Sequence, residues 1–263
     1  MLVDTHCHLD FNSFDQDRDQ VMALAREVGI KRILNPGITL RSSEKAIRLA
    51  DEYPEVFAAV GVHPNDGLTW ENGTKSHLRD LATHHKVVAI GEIGLDFYRD
   101  RTPHDLQEKI FWEQLELAAE LELPVVIHTR ESIEKVLEVL ANWCRELEKS
   151  QSELLSHPGV LHSFSGAEDD AERTSALNFL IGITGPVTFH NASDLQDLVI
   201  RLPLEDMLIE TDAPFLTPHP YRGKRNDPAK VKLVAEKIAG LKQEAYNTVT
   251  YITTANAARL FGW

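Results

Sequence analysis

Short runs rich in Val, Ile, Leu and Gly recur along the chain, and between them apolar residues return every three or four positions. This alternation predicts strand–helix units around a parallel sheet. The predicted strands are 2–8, 32–38, 56–63, 87–95, 124–129, 159–164, 179–184 and 207–212. The intervening helices are predicted at 16–28, 42–52, 74–84, 105–122, 132–148, 169–178, 194–201 and 229–241, with a closing helix at 245–260. Val87-Val88-Ala89-Ile90 and Val125-Val126-Ile127 are apolar without a break, as strands covered on both faces are. Eight such units fit one closed (β/α)8 barrel. A doubly wound open sheet usually carries a glycine-rich phosphate turn after its first strand, whereas here that strand runs into Asp4-Thr5-His6-Cys7-His8. Nothing along the chain marks a linker or a composition break, so residues 1–263 are expected to form a single domain.

Length and composition agree with this reading. A chain of 263 residues, 43% hydrophobic and 26% charged, is the size of one α/β barrel and has the make-up of an ordinary globular protein. The formal net charge of −14 excludes polyanion binding through a broad basic surface. A local basic patch or bound cations remain as ways to hold a phosphate. Two cysteines, Cys7 and Cys144, are too few for a stapled secreted fold and predict no disulfide. The first thirty residues lack a signal-peptide pattern, and no apolar run approaches the ~18 residues of a membrane span, so a cytoplasmic protein is expected.

In a barrel of this kind the working residues stand at the C-terminal ends of the strands. Those ends carry His6 and His8, His63, Glu92, His128, His162, and Glu210 with Asp212. Strand alternation points His6 and His8 to one side, where two imidazoles can share a cation, and turns Cys7 toward the helices. Glu92 projects from an apolar strand between Ile90-Gly91 and Ile93-Gly94. A carboxylate buried there needs a counter-charge, and bridging two cations would satisfy both its oxygens. Six inward His, Glu and Asp residues exceed the three protein ligands of one catalytic metal, so two divalent cations are expected: zinc, magnesium or manganese. Asp212 is placed to act as general base toward a metal-activated water. Glu210 is expected either to hold a histidine or to form a structural ion pair. His63 is open between reserve ligand and phosphate contact, and Arg130 between phosphate contact and helix-start residue. Ser163 and Ser165 are further candidates for phosphate oxygens. Arg222, Lys224 and Arg225 follow the last strand, beside Tyr221, as either a phosphate-holding cluster or a solvated loop.

These residues and their order resemble the TatD family of metal-dependent hydrolases, among the amidohydrolase-like barrels. The motifs are DTHCHLD at 4–10, GVHP at 61–64, IGEIGLDFYRD at 90–100, PVVIHTRE at 124–131, LHSFSG at 161–166, IETDAPFL at 209–216 and RGKRNDPAKV at 222–231. The resemblance implies divalent-metal-dependent cleavage of DNA phosphodiesters, often by an exonuclease working from the 3′ end. It also maps the family's ligands onto His6, His8, Glu92, His128, His162 and Asp212. DNA is thus the implied substrate, with RNA as an extension. Ser163, Asp227 and Lys230 stand where such proteins usually carry Cys, Glu and Tyr; no ligand type changes.

Two rival functions fit the same barrel. A small-molecule amidohydrolase or lactonase often bridges its metals through a carboxylated lysine on the fourth or fifth strand, and neither 87–95 nor 124–129 contains a lysine. A metal-binding scaffold without turnover would have no use for a general base such as Asp212.

Overall fold

The computed structural model describes residues 1–99 and 101–263, so Asp100, the last residue of the 90–100 motif, lies outside the described residues. Eight parallel strands run in chain order around one sheet: β1 (Leu2–Asp4), β2 (Ile30–Pro36), β3 (Val56–Val60), β4 (Val87–Asp96), β5 (Val125–Arg130), β6 (Gly159–Leu161), β7 (Leu180–Ile183) and β8 (Met207–Ile209). The ring closes between the first and last strands, where Thr5 N donates to Ile209 O at 3.2 Å, Asp212 N to His6 O at 2.8 Å and His8 N to Ala213 O at 2.8 Å. The expected (β/α)8 barrel is the observed fold.

Helices α1 (Arg18–Glu27), α2 (Leu40–Glu52), α3 (Thr74–Ala82), α4 (His104–Leu121), α5 (Ile133–Ser150), α6 (Glu168–Ala176), α7 (Ser193–Arg201), α8 (Val231–Lys242) and α9 (Tyr246–Phe261) lie within two residues of their predicted bounds. Among the described residues, no helix is long and apolar enough to cross a membrane.

Strand alternation produces two apolar cores. Residues such as Ile33, Val56, Val125, Ile127, Met207 and Ile209 face outward and pack with the helices. Val3, Leu34, Val88, Val126, Val160, Leu180 and Leu208 fill the barrel, and Leu260 and Phe261 of α9 plug its lower end. Two residues further along the same inward row, Val126 gives way to His128, Val160 to His162 and Leu208 to Glu210. The period-two rule that fills the barrel therefore also delivers polar side chains to its upper mouth.

Four strands stop three or more residues short of prediction, among them β3, expected at 56–63 and ending at Val60. The expected strands 2–8, 159–164 and 207–212 end at Asp4, Leu161 and Ile209. Beyond those points Ser163 (φ 46°) and Asp212 (φ 53°) take left-handed backbone conformations that a strand cannot hold. The ladder gives out where the chain turns its ligands inward.

Candidate metal centre

His6 and His8, both buried, bring their Nε2 atoms to 3.2 Å of each other. Cys7 between them packs into the outer core, as alternation requires. Glu92 Oε2 lies 3.4 Å from His6 Nε2 and 3.5 Å from His8 Nε2, and Asp212 Oδ1 lies 3.8 and 3.6 Å from the same atoms. The other oxygen of Glu92, Oε1, is 3.0 Å from His128 Nδ1 and 2.9 Å from His162 Nε2, and those two nitrogens are 3.3 Å apart. One carboxylate thus faces two clusters of donor atoms, one through each oxygen.

Close packing of strands makes this possible. A Cβ at Gly91 would stand 2.7 Å from Val126 Cβ, and one at Gly94 (φ 135°) 2.1 Å from His128 O. The glycines flanking Glu92 let β4 press against β5, which sets Glu92 and His128 at hydrogen-bonding distance.

The donor set fits divalent cations. Burial drives the pKa values of His6 and His8 down, toward neutral rings whose lone pairs converge. Four donor atoms around a tetrahedral zinc ion, each at ~2.1 Å, lie about 3.4 Å apart, the spacing seen here. Burial opposes ionisation of Glu92, but His162, His63 and His6 outweigh it and hold its carboxyl well below the usual range. Burial pushes Asp212 up to about 6 against the pull of His162 and His8, close to where a general base works at neutral pH.

Carboxylates stand behind the ring of candidate ligands. Glu210, fully buried, sets Oε1 3.7 Å from His162 Nδ1 while accepting from Ser163 N, and its Oε2 accepts from Thr5 Oγ1 at 3.3 Å. The 3.7 Å separation is a charge contact and not a hydrogen bond, so both expected roles, holding His162 and pairing with it, share this geometry. Asp96, which sequence reasoning missed, places Oδ2 3.5 Å from His128 Nε2 and also accepts from Asn65 Nδ2 at 2.7 Å. Asp4, likewise missed, accepts from Thr211 N at 2.9 Å and Thr211 Oγ1 at 2.6 Å, tying the end of β1 to that of β8.

His63 behaves differently. Its Nδ1 accepts from Asn65 N at 3.0 Å, so the ring proton sits on Nε2, 3.6 Å from Glu92 Oε1. A nitrogen that carries the proton cannot ligate a cation. His63 is therefore a hydrogen-bond donor aimed into the site, kept neutral because burial and His128 push its pKa down to about 3.

Two adjoining cavities of about 550 Å³ each open over the centre. Arg130 borders both, its guanidinium stacked 3.8 Å above the ring of Tyr98. Ser163 and Ser165 line one; His63, Arg99 and Arg101 line the other. Arg99 and Arg101 escaped the sequence reading, though they follow β4 on the mouth side and the strand-end rule points to that loop. Arg222, Lys224 and Arg225 line neither cavity. Arg225 makes a two-pronged pair with Asp17 at 2.9 and 2.6 Å, which commits its guanidinium to the α1 side of the barrel. Arg222 lies 4.4 Å from the Phe189 ring centroid, and Lys224 is exposed on the same loop.

Comparison with known proteins agrees with this geometry. A family model described as TatD related DNase matches residues 3–262. The chain is 40% identical to an uncharacterized metal-dependent hydrolase, YabD, of Bacillus subtilis, over 99% of both chains. It is 36% identical to the 3′-5′ ssDNA/RNA exonuclease TatD of Escherichia coli, again over 99% of both. The crystal structure of YjjV, a TatD homologue of Escherichia coli, superposes with a TM-score of 0.91 at 31% identity, covering 100% of this chain and 98% of the other.

Proposed function

Because the chain belongs to the TatD related DNase family, we propose that it hydrolyses phosphodiester bonds of single-stranded DNA, and of RNA, from the 3′ end. The observation that carries this reading is the divided carboxylate of Glu92, with His6 and His8 at one oxygen and His128 and His162 at the other. His6, His8, Glu92 and Asp212 would hold one divalent cation, and Glu92, His128 and His162 a second. When bound, such cations acidify water and offset charge on the phosphate. Zinc, magnesium and manganese all suit an imidazole–carboxylate set.

The chain's own groups do the rest. Asp212, the most open of the carboxylates here, takes the proton from the attacking water. Glu92 fixes the two ligand clusters at one spacing, and Glu210 and Asp96 keep the His162 and His128 rings from turning. His63 offers its Nε2 proton to a phosphate oxygen, and Arg130, Ser163 and Ser165 contact the phosphate from the cavity walls. Lys224 and Arg222 meet more distant parts of the strand. Residues 1–263 act as a single domain in the cytoplasm.

The amidohydrolase reading is not favoured, since Glu92 stands between the two clusters where such enzymes use a modified lysine. The test is to incubate metal-loaded protein with 5′-labelled single-stranded DNA and RNA, a p-nitrophenyl phosphodiester and an N-acyl amino acid. Progressive 3′ shortening of the nucleic acids is expected. Hydrolysis confined to the amide would overturn the reading.

A further inference from the structure

Phe215 follows Asp212 by three residues and is half exposed, yet it does not sit on a loose loop. Its N–H donates to Asp212 O at 2.8 Å, and its carbonyl accepts from Nδ2 of the buried Asn226 at 2.7 Å. An aromatic ring held to solvent on a pinned backbone beside a catalytic carboxylate forgoes the burial that ordinarily stabilises such a side chain. The ring belongs to a ladder leading outward from the metal centre. Phe11 stacks on His8 at 4.7 Å between centroids, and Phe215 meets Phe11 edge-on at 5.8 Å.

On the far side of this pair lies a third cavity of about 550 Å³, and Phe11 and Phe215 are common to it and to the central one. Its wall is the start of α2, where Thr39 and Ser42 form a capping box and the helix N-terminus favours negative charge. Arg41 and Lys45 stand on that first turn and a half and also line it. Among the described residues Lys45 makes only long contacts, 3.4 Å to Asn12 Oδ1 and 3.4 Å to Asp15 Oδ1, and Asp15 is itself paired with Arg18 at 2.6 Å. The wall's own carboxylate, Asp10, is buried and takes a hydrogen bond from Asn35 Nδ2 at 3.0 Å. Cations, a helix start and a presented ring thus meet directly across the Phe11–Phe215 pair from the cavity over the metal centre.

We propose that this outer cavity is the subsite for the nucleotide adjoining the one at the metal centre: Phe215 stacks its base, and Arg41 and Lys45 hold its phosphate. The proposal rests on the nuclease reading and adds the path that the strand takes next to the metal centre, across the β1–β2 side of the mouth. It also gives a chain of net charge −14 a local pair of cations with which to accept a polyanion.

The test compares single-stranded hexathymidylate with the p-nitrophenyl ester of thymidine monophosphate, in a salt series. The doubly substituted Arg41→Ala/Lys45→Ala protein should raise the ratio of hexamer KM to ester KM about tenfold. It should also flatten the slope of log kcat/KM against log salt by about 0.7, since a single strand releases ~0.7 counterion per phosphate neutralised. Phe215→Ala should raise the same ratio about tenfold, with Phe215→Trp restoring it. Should Phe215→Ala melt early, Phe215→Leu replaces it. Wild-type ratios and slopes in every variant, alongside normal cleavage by the wild type, would overturn the subsite and leave the nuclease reading standing. A wild type that leaves both substrates intact would overturn the reading itself.

Discussion

The two ends of the barrel are built from the same eight strands and opposite chemistry. At the lower end the strands close over Leu260 and Phe261, and Trp263 packs against Phe261 at 4.8 Å and Phe57 at 5.0 Å. At the upper end four imidazoles crowd the carboxylates of Glu92 and Asp212, with Glu210, Asp4 and Asp96 behind them, all largely buried. Apolar burial at the lower end stabilises the fold. Burying ionisable groups at the upper end costs stability unless each finds a partner, and here the partners are partly other ligands competing for the same space. Apolar packing inside and around the barrel thus offsets the cost of burying ionisable groups at the mouth.

That division can be broken by substitution at either end. Asp212→Asn should lower turnover on DNA by a factor of about 10² to 10⁴, the usual range for a positioned base, while the melting temperature stays at or above that of the wild type. An early-melting variant with an unchanged rate would invert the comparison. Phe261→Ala should act the other way, costing about 3–5 kcal/mol in urea unfolding because a buried aromatic leaves a cavity, with kcat per folded molecule retained. Smaller still is the effect of Asp96→Asn. Loss of the carboxylate behind His128 should weaken cation binding about 10- to 100-fold in a chelator competition, and unaltered affinity would mean that Asp96 serves only the 96–99 turn. The smallest change belongs to Arg225→Ala, whose half-exposed pair with Asp17 should contribute no more than ~1 kcal/mol to stability. A large rise in oligonucleotide KM for that variant would instead return Arg225 to the substrate path.

How much of this was legible in the sequence follows the same line between regular and irregular structure. Strand runs with period two located the barrel, and their C-terminal ends located Glu92 and the five candidate ligands that the structure brings around it. The orienting groups were less visible. Asp4 sits inside a strand run and was passed over, while Asp96 ends β4 one residue past its predicted limit, where a carboxylate carries no periodic signal. Arg225 illustrates the other blind spot: its partner Asp17 is 208 residues away, and a pairing that the closed ring alone brings about leaves no local trace. Spacing therefore reveals a cation cluster such as 222–225 but not which of its members is already paired, whereas strand ends point directly to the candidate ligands.

The central proposal is that the mouth would hold two divalent cations, one at each oxygen of Glu92, and metal titration of the stripped protein tests it most directly. Calorimetry with zinc or manganese, checked by elemental analysis, should saturate at two equivalents per chain, and Glu92→Ala should abolish tight binding of at least one. Saturation at one equivalent, unchanged by Glu92→Ala, would contradict the account.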